Sequence, residues 1–284
     1  MHKRKLVMAI PASIISDIPH LREKTLEVGL IGRAAAIFQV NEIIIYTDTE
    51  GGSNQKRDRG LIASLLAYME TPQYLRKRLF QLKPELKYAG ILPPLRTPHH
   101  PLEDRIRNLK NGEFREGVVT SVTNTGSLVD IGVENGLLLP ETKLAVNRRV
   151  TVKVVQEGKT KKLALANPVN INQYWGYKVT TAKGSFGQLT KSRNYDLVIA
   201  TSKMGIYFPK IVDELSEKWN NAKKILVGFG APSQGLQKIV AKEKLRLEDV
   251  VDYNINTIPN QGTKTVRTEE AIYATLALLS ILEK

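Results

Sequence analysis

The chain has 284 residues, a formal net charge of +14 and no cysteine. Disulfides, thiolate nucleophiles and cysteine-held zinc are thereby excluded, and no run approaches the ~20 apolar residues of a membrane span. The basic excess suits a nucleic-acid partner bound in a salt-dependent way; the basic N-terminus lacks an apolar signal core, so a cytoplasmic location is expected.

In chain order, the apolar run at 6–10, ended by Pro11, predicts a first strand. Residues 19–32 carry Leu21, Leu26, Val28 and Leu30 and predict a helix, followed by a second helical piece over 34–40. Ile43, Ile44, Ile45 and Tyr46 form the near-continuous run of a strand covered on both faces. Residues 48–60 are polar and glycine-rich and read as a loop. A helix is expected over 61–70. Another is expected over 73–82, with Thr71 as N-cap and Pro72 in its first turn.

Prolines 93, 94, 98 and 101 mark a stiff linker and a domain boundary. Five short strands are then expected at 116–122, 128–133, 136–139, 150–156 and 161–166. Turn signals fall at 124–126 and at Asn135-Gly136, the latter a strong hairpin signal. Five strands in so short a span suit a small closed barrel. From 169 the helix–strand alternation resumes, with strands at 197–200, 224–227 and 251–253 and helices at 211–218 and 266–282. The expected fold is therefore a mostly parallel α/β domain, residues 1–92 and 169–284, with an all-β barrel inserted at 93–168.

Two late segments are built for sharp turns. Val227-Gly-Phe-Gly-Ala-Pro-Ser-Gln-Gly235 follows one strand, and Asn256-Thr-Ile-Pro-Asn-Gln-Gly-Thr-Lys-Thr-Val-Arg-Thr-Glu-Glu-Ala-Ile272 runs from a strand into a helix. Side by side, such loops can wrap a small adenosine-like cofactor with main-chain atoms, and glycine permits close backbone approach. Gly228 and Gly230 do not form a dinucleotide fingerprint, because the third spaced glycine and its acidic partner are missing. His99 and His100 lack neighbouring ligands, so no metal is expected. Trp175, Tyr174 and Tyr177 read as core packing more readily than as an RNA platform.

The 256–272 segment closely resembles the cofactor loop of the SPOUT superfamily of RNA methyltransferases, in the group with an inserted barrel that is related to the ribosomal-RNA uridine-N3 methyltransferases. Gly228-Phe-Gly230 and Thr201-Ser-Lys-Met-Gly205 match the group's other two cofactor loops, and Leu30-Ile-Gly-Arg-Ala-Ala-Ala-Ile-Phe38 resembles its first motif. Lys203-Met204 departs from the charged pair that relatives often carry there.

The resemblance implies a trefoil-knotted C-terminal half, a homodimer and S-adenosyl-L-methionine bound at Thr201, Lys203, Gly205, Gly228, Phe229, Gly230, Asn256, Thr257, Ile258, Pro259, Gln261, Gly262 and Thr263. It also implies that Arg33 faces the substrate, in the partner's pocket where the superfamily's arrangement holds. Arg267 competes for that role. Guanidinium groups do not accept protons, so Glu269 or Glu270 is a formal candidate base; both read equally as first-turn acids favoured by the helix dipole.

Residues 116–122, Gly126, 129–132 and 136–138 resemble an S1-type OB-fold. Such domains stack bases on aromatics, yet Thr125, Ser127 and Leu128 stand there. The barrel is thus expected to grip RNA backbone through Arg148, Arg149, Lys159, Lys161 and Lys162, aided by Arg76, Lys77 and Arg78. The expected activity is methylation of a uridine N3 in large-subunit ribosomal RNA. The alternatives are ribose 2′-O-methylation and a non-catalytic RNA-binding or ribosome-assembly factor that keeps the fold.

Overall fold

The computed structural model describes residues 4–48, 53–192 and 194–283. In chain order its elements are β1 (Lys5–Pro11), α1 (Leu21–Ile37), β2 (Glu42–Tyr46), α2 (Ser53–Glu70) and α3 (Gln73–Leu79). Next come β3 (Phe114–Thr123), β4 (Gly126–Asp130), β5 (Leu137–Pro140), β6 (Arg149–Glu157) and β7 (Thr160–Leu165). The chain then continues through β8 (Lys178–Thr181), α4 (Phe186–Lys191), β9 (Leu197–Tyr207), α5 (Val212–Asn221), β10 (Lys224–Gly228), α6 (Leu236–Ala241), β11 (Tyr253–Asn256) and α7 (Thr268–Ser280).

The chain folds as two units. One contains Met1–Ala67, Glu85–Pro93 and Tyr177–Lys284; the other contains Tyr68–Pro84 and Pro94–Gly176. The second unit extends beyond the segment expected at 93–168, and specific bonds explain why. Glu70 accepts hydrogen bonds from both terminal nitrogens of Arg149, at 2.7 and 3.0 Å. Tyr74 donates to the carbonyl of Glu116 at 2.8 Å, and Trp175 Nε1 to its carboxylate at 2.7 Å. These long-range bonds tie the helix end and the return segment to the β-rich part, and a local pattern does not announce them.

The first unit holds a six-stranded sheet in the order β11-β9-β10-β1-β2-β8. Its strand pairings are parallel. Strands buried on both faces carry uninterrupted apolar runs, and every residue of β2 is buried. One side of the sheet packs on Phe186, Leu236, Ile239 and Val240, contributed by α4 and α6. The expected pair of helical pieces at 19–32 and 34–40 is one helix, α1. Gly29 lies inside it because an added Cβ would stand 2.8 Å from Pro93. Of the loop expected at 48–60, residues 49–52 lie outside the described residues, and helix α2 begins at Ser53. Strand β8 and helices α4 and α6 are additions; each spans six residues or fewer, too short for a reliable periodic signal.

The second unit holds an antiparallel sheet ordered β5-β4-β3-β6-β7 around Val119, Val129, Ile131, Leu139, Val152 and Val154. The edge strands β5 and β7 also approach each other. The five strands match the expected segments closely. At α3 the expected cap differs: Pro72 occupies the N-cap position, and the Thr71 hydroxyl accepts from Arg149 at 3.3 Å.

Candidate active site

The parallel sheet places the bulged stretch within β9 and the chain segments that follow β10 and β11 at its C-terminal edge, where ligand sites of open α/β sheets form. There a cavity of about 440 Å³ is lined by residues 201–204, 229–235, 255–258 and 264–266, with Gln237, Lys238, Gln261, Thr268 and Ala271. That volume lies within the roughly 300–1,000 Å³ of small-molecule sites.

Each wall has a local cause. Strand β11 pairs Asn254 with Ala200 and its next residue, Ile255, with Ile206. The five residues 201–205 are therefore thrown out of register between two paired stretches of β9. Thr201 Oγ1 anchors this bulge by donating to the Gly228 carbonyl at 3.0 Å. The second wall is held by Tyr46, whose hydroxyl donates to the Phe229 carbonyl at 2.6 Å. Burial pushes that hydroxyl well above its ordinary pKa, so it remains a donor. Gln234 donates to Asp48 at 3.3 Å and fixes the loop's far end.

In the third wall Asn256 Oδ1 accepts from the Ile258 amide at 3.0 Å, while Nδ2 donates to the Lys203 carbonyl at 2.9 Å. One side chain thereby closes its own turn and ties it to the β9 bulge. Asn260 takes a positive φ of 59° in the same turn. Gln261 Nε2 donates to the Thr263 carbonyl at 2.9 Å, bracing the loop from within. Thr268 reaches the Gly230 carbonyl at 3.3 Å and joins the start of α7 to the second wall.

Of the residues expected at the cofactor, Thr201, Lys203, Phe229, Gly230, Asn256, Thr257, Ile258 and Gln261 line this cavity; Gly205, Gly228, Pro259, Gly262 and Thr263 are not among its lining residues. Two of those glycines answer to protein neighbours. A Cβ on Gly228 would lie 2.3 Å from the Phe186 ring, and one on Gly205 would lie 2.5 Å from the Ile255 backbone. Gly230 does border the cavity, and a Cβ there would meet Gly235 at 3.0 Å.

The expected catalytic residues sit around α7 and α1. Arg267 is the exposed N-cap residue of α7, and its amide donates to the Glu270 carboxylate at 2.9 Å. Glu270 therefore acts as the helix cap. Arg33 is half-buried on α1, and its charge acts on the Tyr273 hydroxyl of α7. Sequence reasoning missed Glu27. Burial, a hydrogen bond with Glu269 and the charge of Glu269 push its carboxyl up to about 8, against a smaller opposing effect from Arg267, with Asp17 adding to the rise. Glu269 is itself buried, 6% exposed. The two acids lie 242 positions apart by residue number, so no spacing rule links them.

Several expected RNA contacts have structural partners. Arg149 bridges Glu70 and Glu116. Lys161 donates to the carbonyls of Ile106, Arg107 and Leu109. Arg76 donates to the Met69 and Thr71 carbonyls and lies over the Tyr68 ring. Lys162 pairs with Glu157. Lys77, Arg78, Arg148 and Lys159 are exposed. His99 and His100 both bond the Glu70 carbonyl. Among the described residues no group of acidic, histidine or cysteine side chains could hold a metal, and no helix is long and apolar enough to cross a membrane.

A parallel α/β sheet with a loop-walled cavity at its C-terminal edge places the chain among α/β proteins that carry a small-molecule-sized cleft there. A family described as "Putative RNA methyltransferase" matches residues 5–279. The chain belongs to that family and is an RNA methyltransferase. Methyltransferases of this kind typically use S-adenosylmethionine. The chain is similar to proteins named 28S rRNA (uridine-N(3))-methyltransferase from Drosophila melanogaster, Mus musculus and Homo sapiens. Identities are 33%, 35% and 34%, each over 96% of this chain. It spans 61%, 75% and 77% of those proteins. An uncharacterized protein of Halobacterium salinarum is 30% identical over 96% of this chain and 98% of its own length.

Proposed function

We propose that this chain transfers a methyl group from S-adenosylmethionine to N3 of a uridine in ribosomal RNA. The carrying observation is the cavity at the C-terminal edge of the parallel sheet, in a chain whose relatives are named for that reaction. Its volume, its amide, hydroxyl and turning-backbone groups and a lysine able to meet a carboxylate suit an amino-acid-bearing nucleoside. When bound, S-adenosylmethionine supplies a methyl already made electrophilic by its sulfonium.

The chain's own residues then bind and orient. We assign cofactor contact to Thr201, Lys203, Phe229, Gly230, Asn256, Thr257, Ile258 and Gln261. Gly205, Gly228, Pro259, Gly262 and Thr263 support them by shaping the walls. Holding N3 in line with the methyl removes much of the entropic part of the barrier. As the N3–methyl bond would form, the methyl–sulfur bond would break to leave S-adenosylhomocysteine, and the N3 proton would pass to solvent. Arg267 and Arg33 are the cations we assign to the substrate, because positive charge favours the ionised base. The reading also carries a knotted SPOUT topology, an OB-type barrel for the antiparallel sheet, a homodimer and a cytoplasmic location.

Titration of the purified protein with S-adenosylhomocysteine tests the cavity. Saturable binding near one site per chain is expected, lost in Gly230→Arg, whose side chain enters the cavity wall. No binding by the folded wild-type protein refutes the reading. Digestion of methylated ribosomal RNA to nucleosides should yield 3-methyluridine; a 2′-O-methylated nucleoside instead would reassign the acceptor atom.

A further inference from the structure

The cavity's rim is strongly one-signed. Lys203, Lys238 and Lys264 line it, and no aspartate or glutamate does so among the described lining residues. All three lysines are exposed. The cofactor's one carboxylate accounts for a single ammonium, Lys203 as assigned above, and its sulfonium gains nothing from more, so Lys238 and Lys264 are left without a role in cofactor binding. The bulged stretch of β9 also presents an apolar surface at this rim. Met204 lines the cavity and is 76% exposed, and Tyr207, farther along the strand, is 42% exposed. The Lys210 ammonium lies 5.6 Å from the Tyr207 ring centroid. Tyr207 pairs with Asn256, a residue of the cavity wall, so the spacing of neighbouring strands sets its backbone about 5 Å from that wall, within reach of a nucleotide neighbouring one held in the cavity.

Cations alternating with an exposed ring form the surface that single-stranded nucleic acid uses: ammonium groups neutralise phosphates while bases stack on a flat face. We propose that this rim, from Lys238 and Lys264 across the β9 bulge to Tyr207, is a single-stranded RNA track that holds the nucleotides flanking the target uridine. The inference deepens the methyltransferase reading and rests on it. It moves a main RNA grip from the antiparallel unit to the edge of the cavity. Charge complementarity favours RNA over a second copy at this rim, since a symmetric contact here would set its lysines against one another.

The test is fluorescence anisotropy of the full chain with a short labelled single-stranded oligouridylate, over a salt series. Lys238→Ala with Lys264→Ala should weaken binding about tenfold or more and flatten the log–log salt slope by about 1.4, or 0.7 for each lost single-strand phosphate contact. Tyr207→Ala should weaken binding by about fivefold or more with the slope retained. Affinity and slope unchanged in both variants would overturn the track. A Tyr207→Asp variant that dissociates a dimer in sedimentation while RNA affinity holds would also overturn it and assign the surface to a second copy. Wild-type titration with S-adenosylhomocysteine is scored separately. Failure there refutes the cofactor reading, while the oligouridylate result stands on its own.

Discussion

At the residue scale, two acids, one in each unit, respond oppositely to pH. Burial alone would raise Glu70, but hydrogen bonds from His99 and Arg149 outweigh it and hold the carboxyl down at about 2. A depressed acid stabilises the fold above its ordinary value near 4.5, and that contribution disappears as pH falls toward 2. Glu70→Ala removes one of the two carboxylates that hold Arg149 and should cost about 1–3 kcal/mol, measured by denaturant unfolding at neutral pH. Glu27 has the other sign. Its carboxyl is raised to about 8, so the native state holds a proton that the unfolded chain releases above about 4.5. Wild-type stability should therefore fall between pH 4.5 and 8 relative to Glu27→Gln. Melting curves should coincide near the lower pH and favour the variant at the upper one. Glu269, Arg267 and Asp17 act on this carboxyl, so a pH-independent difference would count against this environment. Glu270 makes a third case. Its capping bond to Arg267 predicts that Glu270→Ala loses about 1 kcal/mol with methyl transfer retained at the variant's stable temperature. Lost turnover in a folded Glu270→Gln would restore the base assignment.

At the scale of elements, β9 and its neighbours decide the shape of the cavity. A strand ending at Ala200 is legible from Leu197, Val198 and Ile199. Its continuation to Tyr207 arises because β11 resumes pairing at Ile206 after the five-residue bulge. Pairing partners are chosen by the fold, and hydropathy along one strand does not contain them. The glycines make the same point. A glycine-rich loop suggests backbone approach to a ligand, yet Gly228 accommodates the Phe186 ring at a position where Cβ would come within 2.3 Å. Gly228→Ala should destabilise the first unit by about 1–3 kcal/mol through overpacking, read as a lower melting temperature. A neutral effect would show that the ring moves aside. The helix over 21–37 was legible in outline, but its apparent break at Arg33 was not real. Gly29 and Gly32 weaken the local helical signal, while tertiary packing keeps both buried within the helix.

At the scale of the whole molecule, the basic excess translates into salt-sensitive RNA binding, but net charge does not say which cations face RNA. Arg149, Lys161, Arg76 and Lys162 are engaged with protein groups, whereas Lys238 and Lys264 stand at the cavity rim. Single Arg149→Ala and Lys161→Ala changes should therefore reduce stability more than they reduce the salt slope of RNA binding. A stable Arg149→Ala protein with a flattened slope would return that residue to the RNA surface. The amino-acid sequence by itself determined the alternation of strands and helices, the antiparallel insertion, the absence of thiol chemistry and the turning loops that converge on the site, because these depend on local conformational preference and hydrophobic period. Tertiary structure alone decided the β9 bulge, the meeting of Glu27 with Glu269, the partners of Arg149 and Lys161 and the cation-lined rim. Each of these needs residues far apart in the chain to meet, and only the folded contacts bring them together.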